Sequence, residues 1–383
     1  MAESKRDTND TIKLTDTSGG ALGPYLGTHI GFQRNKPKMI GQQVQLIGAK
    51  AIGFFLSNPR GGAKSSYTVK QAAAIKSAIS QSGILPKHIL PHSAYAHNLA
   101  NNSGKIEWMK KSLLYELQMA EQLDIPGIVL HPGSADKNDS RGAAEQTISQ
   151  GKSAALDRVV ASLNELLPKT KTSIYLETMA GNINVVGGKK LCSNVLGSSF
   201  ADLQYIISRI DAGNKSKIGV CLDTCHLYVS GYDITSADKF EQLMTQFDTT
   251  VGLDYIKGIH LNNTKELLGS GKDRHSNIVV GNIPIETFKY IVNFKGFQNI
   301  PIITESRFKA EYNNKDDKDN KDKPDINDKD NNKDNNKDNN KDNNKDNDKD
   351  DEEQDKDEDK TKVDDFDVRG EIALLYSLVD KQT

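Results

Sequence analysis

Nine residues with metal-binding side chains stand at or just beyond the ends of short apolar runs: His92, His131, Glu177, Asp223, His226, His260, Asp273, His275 and Glu305. Six of them close the runs HILPH (88–92), GIVLH (127–131), SIYLE (173–177), IGVCLD (218–223), YIKGIH (255–260) and PIITE (301–305). His226 follows Asp223 by three residues, within one helical turn. Asp273 and His275 are two apart, which in an extended segment points both side chains the same way. Imidazole and carboxylate without thiolate suit zinc or manganese rather than a structural Cys-type zinc. Nine donors are too many for one tetrahedral ion and suit two or three ions that share a bridging carboxylate. Closely spaced ions serve phosphodiester hydrolysis, where attacking and leaving oxygens must both be stabilised.

Taken singly, each of these residues reads as an ordinary hydrogen-bonded His or a salt-bridged carboxylate. As a set they do not, because so many unpaired polar groups converging on one place would be costly without a cation. His29, His88 and His97 keep the ordinary reading, and His88 opens its run, so it belongs toward the opposite end.

Two more runs, YLGTHI (25–30) and AIGFFLS (51–57), bring the total to eight. Each is nearly continuously apolar, as a strand buried on both faces should be. The gaps between them are long enough for helices, and 106–123 and 154–167 carry helical spacing. Eight β-then-α units predict an α/β fold, a (β/α)8 TIM barrel, in which every strand ends on one face and the scattered ligand residues meet. A doubly wound open sheet is the alternative, but no Gly-rich phosphate fingerprint follows the first run.

The remainder of the 383 residues frames this domain. Residues 1–23 read as a disordered N-terminal tail, 24–308 as the main part of the barrel, 309–364 as a low-complexity Asp/Asn/Lys insertion, and 365–383 as a terminal helix completing the barrel. Within 315–362 there are 13 lysines against 17 aspartates and 3 glutamates, a net −7 that leaves +5 on the rest of a chain whose total is −2. A mildly basic body suits a polyanionic partner. Three cysteines, Cys192, Cys221 and Cys225, argue against a disulfide framework and for a reducing intracellular compartment: cytoplasm, nucleus or viral particle. The polar N-terminus predicts no secretion, and no apolar run of about 18 residues predicts a membrane span.

The stretches ILPHSAY (89–95), LHPGS (130–134), LETMAG (176–181), VCLDTCHLYVSGYD (220–233), GIHLNNTK (258–265), DRHSNI (273–278) and ITES (303–306) resemble the endonuclease IV family of apurinic/apyrimidinic (AP) endonucleases. They follow the family order across nearly all the foldable chain. The resemblance implies three zinc ions per chain, with manganese an option at one of them. His92, His131 and Glu177 would hold the first; Glu177, Asp223, His260 and Glu305 the second; His226, Asp273 and His275 the third. It places Glu177 and Glu305 in the catalytic set, and implies hydrolysis of the phosphodiester 5′ to an abasic sugar in double-stranded DNA. The products would be a 3′-OH and a 5′-deoxyribose phosphate. It also implies DNA contacts by Arg60 and Tyr95, and a monomer. The chain departs from the family pattern at several points. Ser57 replaces a Lys, Gly61–Gly62–Ala63 lack a Trp, Ala96 replaces a bulky apolar residue, Asn263 replaces an acid expected to support a ligand, and Val279–Val280–Gly281 replace Gly-Glu-Gly.

Two rival readings remain at this point. A metal-dependent sugar isomerase uses the same barrel, a carboxylate-rich site and a catalytic lysine; here Lys257 lies inside the seventh run. A non-catalytic binder of damaged DNA would not need the complete ligand set.

Overall fold

The computed structural model describes residues 24–135, 145–181, 184–186, 189–191, 194–306 and 368–380. The expectations for the tail 1–23 and the insertion 309–364 fall outside these residues, as does Cys192. In chain order the strands are β1 (Tyr25–His29), β2 (Ala51–Gly53), β3 (Gly127–Leu130), β4 (Ser173–Glu177), β5 (Asn184–Val186), β6 (Lys189–Leu191), β7 (Ile218–Asp223), β8 (Ile256–His260), β9 (Asn263–Thr264), β10 (His275–Ser276) and β11 (Pro301–Thr304). The helices are α1 (Met39–Ile47), α2 (Val69–Ser82), α3 (Ile106–Gln122), α4 (Glu145–Leu166), α5 (Phe200–Ser208), α6 (Thr224–Val229), α7 (Ala237–Thr250), α8 (Ile285–Asn293) and α9 (Val368–Leu378).

Seven strands form one parallel sheet in the order β2-β1-β11-β8-β7-β4-β3. The run 88–92, expected as a strand, is a named strand in no part of its length. Its first residue closes a 3-10 turn over Pro86–His88, and Pro91 has no N–H to give to a ladder. It nevertheless joins the two edges: Leu90 N donates to Ile52 O at 2.9 Å, His92 N to Phe54 O at 2.9 Å, and Val129 N to Pro91 O at 2.8 Å. The ring is thereby closed, and no sheet edge is left open between β2 and β3.

Inside the ring Ala51, Leu90, Val129, Tyr175, Cys221 and Ile303 pack as a layer, and a larger apolar cluster lies between the ring and the helices. Glycine is required where the interior is crowded: a Cβ on Gly127 would sit 2.2 Å from the Tyr175 ring. Cys221 and Cys225 are buried free thiols. Local signals set the helix ends. Thr68 and Gln71 form a capping box on α2, which stops at Gly83 in a left-handed conformation. The terminal amphipathic segment folds as α9, burying Val368, Ile372 and Leu375, and Tyr376 Oη donates to Leu26 O of β1 at 3.0 Å. No described helix is long and apolar enough to cross a membrane.

Candidate metal centre

The carboxyl-terminal ends of the barrel strands bring all nine ligand candidates together. Side-chain donor atoms lie within 4.8 Å of one another in the groups His92–His131–Glu177, Glu177–Asp223–His260–Glu305 and His226–Asp273–His275. A fourth such group, Asp223–Cys225–His275, adds a thiol that the sequence reading left out. Glu177 belongs to two groups and divides its oxygens between them. Oε2 lies 3.1 Å from His92 Nε2 and 3.0 Å from His131 Nε2, while Oε1 lies 2.9 Å from His260 Nδ1. Asp273 does the same for the third group, with Oδ2 at 3.2 Å from His226 Nε2 and Oδ1 at 3.0 Å from His275 Nε2.

Outer contacts decide which ring nitrogen faces inward. His92 Nδ1 donates to Ser93 O at 2.6 Å and His226 Nδ1 to Thr178 O at 2.8 Å, which frees each Nε2. Asp223 caps α6 through Oδ1, accepting from His226 N at 2.8 Å. This cap explains the three-residue spacing: the same carboxylate that starts the helix holds His226 one turn away and keeps Oδ2 available. The β9–β10 pairing, His275 opposite Thr264, folds the Asp273–His275 segment back over the mouth.

Two supporting residues escaped the sequence reading. Asn262 Nδ2 donates to Asp223 Oδ2 at 2.7 Å and to Glu305 Oε2 at 3.0 Å. Thr178 Oγ1 accepts from Asp223 N at 2.8 Å. Both lie one or two residues past a ligand candidate, Glu177 or His260, and that proximity is the signal that was available. Asn263, expected near a ligand, instead clamps backbone: its amide donates to Ile278 O and Ile283 O, each at 2.9 Å.

The open cavity of about 270 Å³ is lined by His92, Tyr95, His131, Glu177, His226, Asp273, His275 and Glu305. Tyr95 is 53 % exposed, its ring 5.3 Å from those of both His92 and His131. Arg60 lies outside this lining, on an exposed turn where Asn58 Oδ1 accepts from its backbone N at 2.9 Å. Lys257 is exposed and is not among the residues that line the cavity. His88 stacks on Tyr25, the first residue of β1, with ring centroids 3.3 Å apart at the opposite end.

The donor set fits divalent cations. Five imidazoles and four carboxylates converge, mostly buried. His226 and His275 bring their Nε2 atoms to within 3.4 Å of each other beside the Asp273 carboxylate. Electrostatics point the same way. Burial alone would lower the His226 imidazole, but Asp223, then Asp273 and Glu177, outweigh it and lift it to about 10. Against burial, His275 is likewise raised by Asp223 and Asp273, and His260 by Cys221, Glu305 and Glu177. Without a cation, protons on histidine balance the carboxylates.

A metal ion needs the neutral imidazole, so loading must expel these protons. We expect zinc binding to release protons and to strengthen as pH rises toward about 10. The metal-free protein has the opposite sign: protonated His226 contributes stability that is complete below 6.5 and is lost as pH rises to about 10. Calorimetric zinc titrations in buffers of different ionisation enthalpy read the proton count, and a count of zero contradicts the assignment.

Known proteins give a consistent set of relatives. A family model described as "Xylose isomerase-like TIM barrel" matches residues 42–322. "Probable endonuclease 4" of Chlorobium phaeobacteroides is 33 % identical over 287 residues, covering 74 % of this chain and 92 % of that protein. "Apurinic-apyrimidinic endonuclease 1" of Plasmodium berghei is 35 % identical over 283 residues, 74 % of this chain and 51 % of that one. Among solved structures, endonuclease IV from Thermus thermophilus aligns with a TM-score of 0.56 at 23 % identity, covering 75 % of this chain and 94 % of that one, a likeness of fold.

Proposed function

This chain belongs to the endonuclease IV family of AP endonucleases, hydrolytic DNA-repair enzymes, and from that premise we propose that it cuts the phosphodiester 5′ to abasic sites in double-stranded DNA. The products are a 3′-OH and a 5′-deoxyribose phosphate, and the cofactor is a cluster of three zinc ions, with manganese an option at one position. The observation that carries this reading is the divided carboxylate of Glu177, whose two oxygens serve two adjacent donor groups beside a third.

His92, His131 and Glu177 would hold one ion, Glu177, Asp223, His260 and Glu305 a second, and His226, Asp273 and His275 a third. Bound there, the ions would neutralise charge on the phosphate and lower the pKa of water. The chain's own contribution is preorganisation. Ser93 O and Thr178 O fix the inward nitrogens of His92 and His226, and Asn262 holds Asp223 and Glu305 at a set separation. Glu177 and Glu305 both line the cavity, where bound cations would offset their charge and make room for that of the phosphate. Tyr95 stands at the rim, and Arg60 projects from a turn on the same barrel end. An abasic nucleotide is extruded toward such a rim at lower cost than a normal one, since no base is stacked there.

A sugar isomerase on the same fold is disfavoured by a cavity lined by no lysine. Incision of a duplex with one abasic analogue, with elemental analysis of the same sample, tests the proposal. A folded, metal-loaded protein that leaves the duplex intact would falsify it. For Arg60→Ala we expect weaker binding of abasic duplex and a reduced preference over intact duplex, read by parallel titrations. An equal loss on both duplexes makes Arg60 a plain phosphate contact.

A further inference from the structure

Beneath the rim lies a buried polar network that the proposed chemistry does not use. Glu116, on α3, is 0 % exposed. Its carboxylate accepts from Ser57 Oγ at 2.5 Å, from Ser93 Oγ at 2.7 Å, and from Ala94 N at 3.3 Å. Ser93 Oγ also meets His97 Nδ1 at 2.8 Å, His97 Nε2 meets Ser112 Oγ at 2.9 Å, and Ala63 N donates to Ser112 Oγ at 2.7 Å. One proton assignment satisfies every link. Ala63 N–H donates to Ser112, whose hydroxyl donates to His97 Nε2; His97 Nδ1–H donates to Ser93, whose hydroxyl donates to Glu116. Burial, which pushes His97 down to about 4, keeps that ring neutral and compatible with the assignment.

Both ends of the Arg60 turn therefore terminate on one carboxylate. Ser57, before the turn, reaches Glu116 directly, and Ala63, after it, reaches Glu116 through Ser112, His97 and Ser93. The turn between them is already closed on Asn58, which accepts from Arg60 N and Gly61 N through its side chain and from Gly62 N through its carbonyl. The third leg runs to the segment Ser93–Ala94, which lies between the ligand His92 and Tyr95. A buried carboxylate is a poor stabiliser compared with a well-packed hydrocarbon. What it supplies here is geometry: one rigid group that references the turn, the rim tyrosine and a metal-binding histidine to each other.

We propose that Glu116 is a positioning residue that clamps the 57–63 turn to the His92–Tyr95 segment, and that this clamp sets the enzyme's preference for abasic over intact DNA. The inference rests on the AP-endonuclease reading for its DNA half only; the clamp itself is measurable without DNA.

Ser57→Ala cuts the direct leg at a half-buried position, and Glu116→Gln keeps the shape while removing the charge and one acceptor. For Ser57→Ala, amide exchange at Gly61 to Ala63 should accelerate at least ~10-fold, because local opening no longer works against the clamp. Abasic-duplex affinity should fall about 5-fold with little change on intact duplex, while metal content and the single-turnover rate at saturating DNA stay within about 2-fold. The double variant should be no worse than Glu116→Gln alone, as expected of two groups in one network. In wild-type protein, nitrogen-15 spectra should show His97 protonated on Nδ1. Unchanged exchange in both variants, an Nε2–H tautomer, or equal losses on both duplexes would each overturn the clamp. A wild-type protein with no preference for abasic DNA would instead defeat the functional reading and leave the exchange result standing.

Discussion

Glu177→Gln lowers incision of a duplex carrying one abasic site by at least ~10²-fold, more than the loss typical of removing a group that only supports a ligand. The side chain is 1 % exposed and stands between His92 and His131 on one side and His260 on the other. An amide of the same size keeps one oxygen, so one donor group loses its acidic ligand whichever way the amide turns. It also removes a negative charge from a place where, against burial, His260 and then His131 hold the carboxyl well below its usual range. Stopped-time incision assays and elemental analysis on the same preparation check the result. Near-normal turnover with full metal content would mean that Glu177 is not shared between ions.

Complete removal of metal should abolish incision, and added zinc should restore it. Most of the donors are buried, so mild chelation should act slowly, and strong chelation with dilute denaturant should be needed. Loss of cations leaves Glu177, Asp223, Asp273 and Glu305 facing one another with only histidine protons between them. Binding to the native state alone stabilises by about 2.7 kcal/mol when free zinc is a hundred times its Kd, so the melting temperature should fall by several degrees on stripping. Elemental analysis, incision and calorimetry on stripped and reloaded samples decide the matter. Full activity in protein free of transition metal would end the metal-centre reading.

Much of this candidate centre is legible in the amino-acid sequence. The repeated apolar runs ending in His, Asp or Glu imply a barrel, and barrel topology sends every run's last residue to one face. Aspartate at 223 followed by histidine at 226 carries its own local logic, since an N-cap and the residue one turn on must be neighbours. Spacing alone does not place Lys257, because the β7–β8 pairing shifts register between Val220 and Cys221, opposite that residue. The apolar run 88–92 forms no regular strand because Pro91 has no N–H to give to a ladder.

The sequence by itself determined what is periodic or local: the βα rhythm, the ligand types, the helix caps, and the terminal amphipathic helix that belongs with the barrel. Only the tertiary structure decided which atoms meet. The inward nitrogen of His92 or His226 depends on a carbonyl that happens to lie behind the ring. Asn262 rather than Asn263 holds Asp223 and Glu305 because neighbouring residues leaving a strand face opposite ways, and loop packing turns Asn263 toward Ile278 and Ile283. Glu116, His97 and Ser57 are 59 residues apart at their extremes, and nothing in their spacing announces a common network. Hydrogen bonds of that kind have no sequence period. They exist because the fold buries polar groups from three segments in one place, where each must find a partner or be paid for in stability.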